Sequence, residues 1–364
     1  MFISDVRAIP LQIPFSTGGP AAELNGHKWF GLDYVLVRVE MGDGTVGWGE
    51  AFAYHCREAV HMAVEKMVAP IAVGQDAKDI AALMTALQRR LHLFGRYGVT
   101  MFALSGLDIA LWDAAGKAAD LPLCRLMGGQ VRDDIPGYAS LFNYSDPDIV
   151  AEKTKQSIDE GYGYVKLHET GVPEVAAARD AAGTNFPIMV DTNCPWTPEA
   201  AKRMALALQE LDIHWLEEPI FPPEDFAALA QLRMATRIAI ATGENACTAF
   251  QFKQMLDADA ADYIQPSVTK VGGITEARKV AVLAETHGVS MMPHAPYFGP
   301  GFLATLHLMA SVPNSGLAEW FYLEREACLY GGAIAPKNGI FSVPDGPGLG
   351  IEPDPDVLKD YAAD

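Results

Sequence analysis

From about residue 135 onward, eight short apolar segments recur at steps of about 25 residues. They end near Leu141, His168, Asp191, Glu217, Glu244, Gln265, His294 and Glu319. Ala-rich stretches with helical spacing separate them, as in "PEAAKRMALALQEL" and "ITEARKVAVLAETHG". Strands joined by helical crossovers run parallel, and eight such units close into a barrel. The rival is an open doubly wound sheet. It calls for a Gly-rich phosphate turn after its first strand, and none is present.

Upstream the texture is α+β. "VRAIPLQIPF" alternates as a strand does, and "STGGPAAELNGHKWFG" (16–31) reads as a loop. "DYVLVRVEMGDGTVGWGEA" reads as two strands around a "GDG" turn. Residues 57–127 have helical spacing, and "MGGQVRDDIPG" marks a domain boundary. The tail, rich in Gly, Pro and Asp, is expected to pack back on the first domain. The net charge of −19 argues against a nucleic-acid surface, and means that an anionic ligand needs a local cation. Five scattered cysteines show no zinc or disulfide spacing. No signal-like leader or run of 18 apolar residues is visible, so the expectation is a cytoplasmic protein without membrane contact.

In a parallel barrel the groups that do chemistry stand at the C-terminal ends of the strands. "IMVDTN" brings Asp191 there, "HWLEEP" brings Glu217 and Glu218, and "IAIATGEN" brings Glu244. Each acid alone could cap the following helix. Three in succession at one level repel unless a cation sits among them, and hard oxygen donors suit Mg²⁺, with Mn²⁺ as the alternative. Around them the sequence sets four bases: Lys166 and His168 on one strand face in "YVKLHE", His294 in "MMPHAP" and Lys270 in "QPSVTK". A divalent cation can neutralise an enediolate while a Lys or His removes the α-proton of a carboxylate. The Lys166 ammonium is expected to depress the pKa of His168 and keep the imidazole neutral.

These residues resemble the mandelate racemase and muconate lactonizing enzymes of the enolase superfamily. "ALSGLDIALWDAAGKAADLPLCRLMGG" (103–129) is similar to the family's first signature, and "IMVDTNCPWTPEAAKRMALALQELDIHWLEEP" (188–219) to its second. "GDGTVGWGEA" and "PDGPGLGI" fit as well. The resemblance implies a modified (β/α)7β barrel over 131–324 and an α+β capping domain from 1–130 plus about 325–364. It implies Asp191, Glu217 and Glu244 as Mg²⁺ ligands and Glu218 as their support. It also implies that loops 16–31 and 53–58 close over a small carboxylate substrate, and that the protein is a homo-oligomer. Tyr138, Ser140, Asn193 and Trp196 are the substrate contacts it suggests, and Glu319 its hydrogen-bonding carboxylate.

Two positions depart from the family pattern. Relatives commonly end the second strand in Lys-x-Lys, where this chain has Lys166-Leu167-His168. Where the racemase-like branch has an Asp that orients the seventh-strand His, this chain has Ser267. Three readings follow. The first is a Mg²⁺-dependent dehydratase of an acid sugar or another hydroxylated carboxylate. Its base is His168 or Lys166, and His294 protonates the departing hydroxyl, with Lys270 as the rival acid on that side. The second is a racemase, epimerase or cycloisomerase with bases on opposite faces. The third is a non-catalytic binder of a metal and a carboxylate.

Overall fold

The computed structural model describes residues 2–24 and 26–363. Strands Ile3–Ser16, Gly31–Met41 and Val46–Ala51 form an antiparallel meander, extended at Phe15 and Ser16 by Glu324–Arg325. The expected "GDG" hairpin joins the second and third of these. The stretch expected as a plain loop holds a small antiparallel pair, Glu23–Leu24 with His27–Lys28. Helix Val99–Ala118 lies directly on strand Val46–Ala51. A Cβ on Gly47 or Gly49 would sit 2.0 Å from a helix carbonyl, that of Ala110 or Gly106. Gly49→Val is therefore expected to cost about 3 kcal/mol or more in urea unfolding, through overpacking. The helix is long and apolar enough to cross a membrane by length and composition, yet 78% of that stretch is buried inside the protein.

Barrel strands one to eight are Asp134–Ser140, Val165–Leu167, Ile188–Asp191, Trp215–Glu217, Ala239–Thr242, Tyr263–Ile264, Ser290–Met291 and Ala318–Phe321. Neighbours are parallel, and strand eight returns to strand one at Ala318↔Gly137. Strands seven and eight meet where Met291 hydrogen-bonds Asn314 and Gly316. Helices Pro147–Asp159, Val172–Ala182, Pro198–Leu208, Phe226–Ala235, Thr248–Asp257, Gly273–Thr286 and Pro300–Ser311 fill the seven crossovers. Several start where the sequence dictates. Asp146, Thr197 and Asp225 each accept a backbone N–H of the first turn, and the first two precede a proline. Tyr138, Met189, Trp215, Ala241, Met292 and Leu317 fill the barrel interior, so it is a packed core and only its mouth is free.

Two strand ends match the expected residues, Asp191 and Glu217. Glu244 and His294 stand just past their strands, since pairing stops once the chain turns outward, and Glu319 lies within strand eight. The tail does not pack wholly on the first domain. Ile340–Ser342 pairs with the start of barrel strand one, covering an edge that the parallel ladder leaves open. Farther on, the Leu349 N–H donates to Asp113 and the Leu123 N–H donates to the Gly348 carbonyl.

His307, on helix Pro300–Ser311, is fully buried and accepts the Cys124 N–H at Nδ1. Burial pushes its pKa from 6.5 down to about 4. On acidification the unfolded chain takes up this proton first, so the imidazole's contribution is intact above pH 6.5 and is lost as the pH falls toward 4. Over that range the loss amounts to about 3 kcal/mol. His307→Asn keeps an acceptor for Cys124. It is expected to flatten that part of the stability profile, measured as the difference between the two unfolding curves from pH 7 to 4.

Candidate active site

At the barrel mouth Asp191, Glu217 and Glu244 each offer one carboxylate oxygen, and these oxygens all lie within 4.8 Å of one another. Each acid is held in orientation. The Asn193 N–H and Nδ2 both donate to Asp191 Oδ1 at 3.1 Å, and Trp215 Nε1 donates to Glu217 Oε2 at 2.9 Å. Glu218 is held apart from the triad: both of its oxygens accept from Asn245 Nδ2, and Oε2 also takes a weak bond from Cys194 Sγ. Burial, then the neighbouring Asp191, pushes the Glu217 carboxyl well up. Burial and Glu244 do the same to Glu218. Such crowding is what a hard divalent cation relieves, so the donor set fits Mg²⁺ chemically.

Lys166 and His168 share the inward face of strand two, one layer apart. Lys166 is the deeper and has no exposed surface. Its Nζ stands 3.1 Å from Asp191, 3.0 Å from Glu217 and 2.9 Å from Glu319. Burial opposes its charge, but Glu217 and Glu319, with Tyr138 and Asp191, outweigh burial and hold the ammonium protonated. The same ion pairs, with His168, overcome burial at Asp191 and hold its pKa far below the carboxylate range. Lys166→Met would leave three buried carboxylates facing one another. In metal-free protein it is expected to lower stability by about 3 kcal/mol or more, measured by chemical unfolding.

His168 stands above, facing the cavity. Its Nδ1 is bonded to the Leu141 carbonyl, which assigns the proton to Nδ1, and its Nε2 lies 3.3 Å from Asp191. Lys166 does depress its pKa, as expected, but the expectation that this keeps the imidazole neutral is corrected. Burial lowers it, yet the charge and hydrogen bond of Asp191 more than offset burial and Lys166 together, and the net direction is upward.

Across the triad, His294 Nε2 lies 3.1 Å and Lys270 Nζ 3.5 Å from Glu244. Lys270 also rests 4.6 Å over the Phe52 ring. The serine that replaces the family's Asp does not touch His294. Ser267 Oγ bonds Tyr297 OH at 2.7 Å, and that hydroxyl donates to the His294 carbonyl at 2.6 Å. His294 Nδ1 is thus buried without a partner, and burial pushes its pKa down to about 3, so the imidazole is neutral. Glu319 is fully engaged. Lys166 and Ser140 bond its Oε1, and the Ala295 N–H bonds its Oε2. The charge and hydrogen bond of Lys166, with the Ala295 N–H, outweigh its burial and keep it ionised.

The mouth opens into a cavity of about 680 Å³. His168, Asn193, Glu244, Lys270, His294 and Glu319 reach it, whereas Tyr138, Ser140 and Trp196 do not. Tyr138 and Ser140 are buried in layers below the mouth, and the half-buried Trp196, whose backbone bridges to Ile220, packs against the main hydrophobic core. Trp29, Phe142, Phe321 and Asn245 line the cavity without having been singled out in the sequence. Only Trp29, inside loop 16–31, and Asn245, beside Glu244, had a neighbouring signal.

Residues 28–128 match the family model of the mandelate racemase / muconate lactonizing enzyme N-terminal domain, and residues 149–357 that of the enolase C-terminal domain-like family. The chain is 32% identical to D-galactarolactone cycloisomerase of Agrobacterium fabrum, across 96% of this chain and 95% of that protein. It is 31% identical to arabinonate dehydratase of Saccharolobus solfataricus, across 91% of each. A racemase from Streptomyces coelicolor A3(2), solved with bound magnesium, is similar over the whole of both chains at a TM-score of 0.88 and 30% identity.

Proposed function

Because the chain belongs to the mandelate racemase and muconate lactonizing enzyme family, and is thus an enolase-superfamily enzyme, we propose that it dehydrates a hydroxylated carboxylate of the acid-sugar kind by removing its α-proton. The observation that carries this reading is His168, an imidazole in the cavity whose Nδ1 proton is committed to Leu141 and whose Nε2 faces the triad. Asp191, Glu217 and Glu244 hold Mg²⁺ in this reading, and the fit rests on their converging oxygens. When bound, the cation supplies neutralisation of the charge that develops on the substrate carboxylate.

The remaining roles belong to the chain's own side chains. His168 Nε2, which here hydrogen-bonds Asp191, loses that proton once the charge of Asp191 is neutralised, and then accepts the α-proton. Lys166 holds Asp191, Glu217 and Glu319 together from below and touches no substrate. Lys270 and His294 serve the opposite side, where the Lys270 ammonium yields the proton that leaves with the β-hydroxyl as water and His294 hydrogen-bonds that hydroxyl. Asn193, at the cavity wall, orients Asp191. The aromatic residues keep bulk water from the carbanionic stage.

A second reading is racemisation, epimerisation or cycloisomerisation. Ionisable side chains on both sides of the triad favour it, and relatives carry such names. Incubating a panel of acid sugars with the Mg²⁺-loaded protein in D₂O separates the two. Formation of a 2-keto product supports dehydration. Deuterium at the α-carbon of recovered substrate or its epimer, with no keto acid, supports the second reading and sinks the first.

A further inference from the structure

The cavity is charged unevenly from floor to rim. Among the described residues, the cationic and imidazole side chains that reach it are His168, Lys270 and His294, all on the floor. Each already stands within 3.5 Å of a triad carboxylate. The rim bears Glu23 and Glu224, both exposed, and neither lysine nor arginine. Between floor and rim runs an aromatic wall. Phe142 stacks on Phe321 at 4.2 Å, and Trp29 packs at 5.9 Å from each. Arg57 faces a separate cleft and is spent on Asp33 at 3.0 Å and Glu58 at 2.8 Å.

A ligand that sets one carboxylate at the triad lays its other end along this wall. A second carboxylate there would meet an apolar aromatic wall and two like charges, with no cation to pair with among the described lining residues. Taking an ion out of water without a partner is costly, whereas a hydroxylated or apolar end loses little. Rejection by an unpaired charge is a strong form of specificity. Resting on the reaction reading above, we propose that the substrate carries a single carboxylate and that its far end is uncharged. The site takes an aldonate-type monoacid, open or ring-closed, and rejects the corresponding aldarate.

Calorimetric titration of the Mg²⁺-loaded full chain with matched pairs tests this. Each pair is a hexonate and the hexarate of the same stereochemistry, such as galactonate and galactarate. In any series that binds, the monoacid is expected to bind roughly 100-fold more tightly than the diacid. Glu224→Arg supplies the missing rim cation and is expected to tighten the diacid about tenfold. A diacid that binds as tightly as its monoacid overturns the proposal. So does an acid with a quaternary ammonium at its far end that binds more tightly than the monoacids, and so does a panel in which no monoacid binds. Binding with the expected ratio but without α-proton exchange on any ligand leaves the charge rule standing and removes only the reaction reading.

Discussion

His168→Asn is expected to slow α-proton exchange by roughly 10³- to 10⁴-fold while Mg²⁺ affinity stays within about tenfold of the parent. Asparagine can keep a hydrogen bond to the Leu141 carbonyl, so the strand end should hold its shape. It cannot accept a proton. The comparison with Lys166→Met separates the two bases of this strand. Lys166 has no exposed surface and three carboxylate partners, so its loss is read first in stability. Deuterium uptake by substrate, followed by NMR in single-turnover conditions, reports the exchange step alone. If the asparagine variant exchanges the α-proton at the parental rate, His168 is not the base, and Lys166 must reach the substrate by a rearrangement of its ion pairs.

Both residues were visible in "YVKLHE" as an alternating run, because a strand sends every second side chain to one face. What alternation does not carry is depth. The layer at which a side chain stands depends on the stagger of the barrel, a property of how strands pair. Tyr138 and Ser140, which the family resemblance suggested as substrate contacts, stand below the mouth, Ser140 bonded to Glu319 at 2.8 Å. The acids were easier, since Asp191, Glu217 and Glu244 each follow an apolar run and their neighbours fix the register. The aromatic wall was not legible. Trp29, Phe142 and Phe321 lie far apart in the chain, and each alone reads as core. The departure at Ser267 was legible as a missing carboxylate, but its consequence needed Tyr297, which takes the serine hydroxyl and leaves His294 Nδ1 alone.

Glu217→Gln is expected to weaken Mg²⁺ binding by at least about 100-fold and to lower turnover by roughly 10³-fold, a transition-state loss of ~4 kcal/mol. The two side chains have the same shape, so the effect isolates charge and hydrogen-bond polarity. Glu217 now accepts from Lys166 Nζ at 3.0 Å through Oε1 and from Trp215 Nε1 at 2.9 Å through Oε2. A glutamine has one oxygen for two donors, so its NH₂ must face either the ammonium or the indole N–H. One buried donor is then left without a partner, and the triad loses a charge from the set that would hold the cation. Metal titration by calorimetry reads the first loss, and single-turnover exchange at saturating Mg²⁺ reads the second. Unchanged Mg²⁺ affinity in this variant would remove Glu217 from the ligand set. Glu218 could then enter it only by giving up Asn245, whose Nδ2 now holds both of its oxygens.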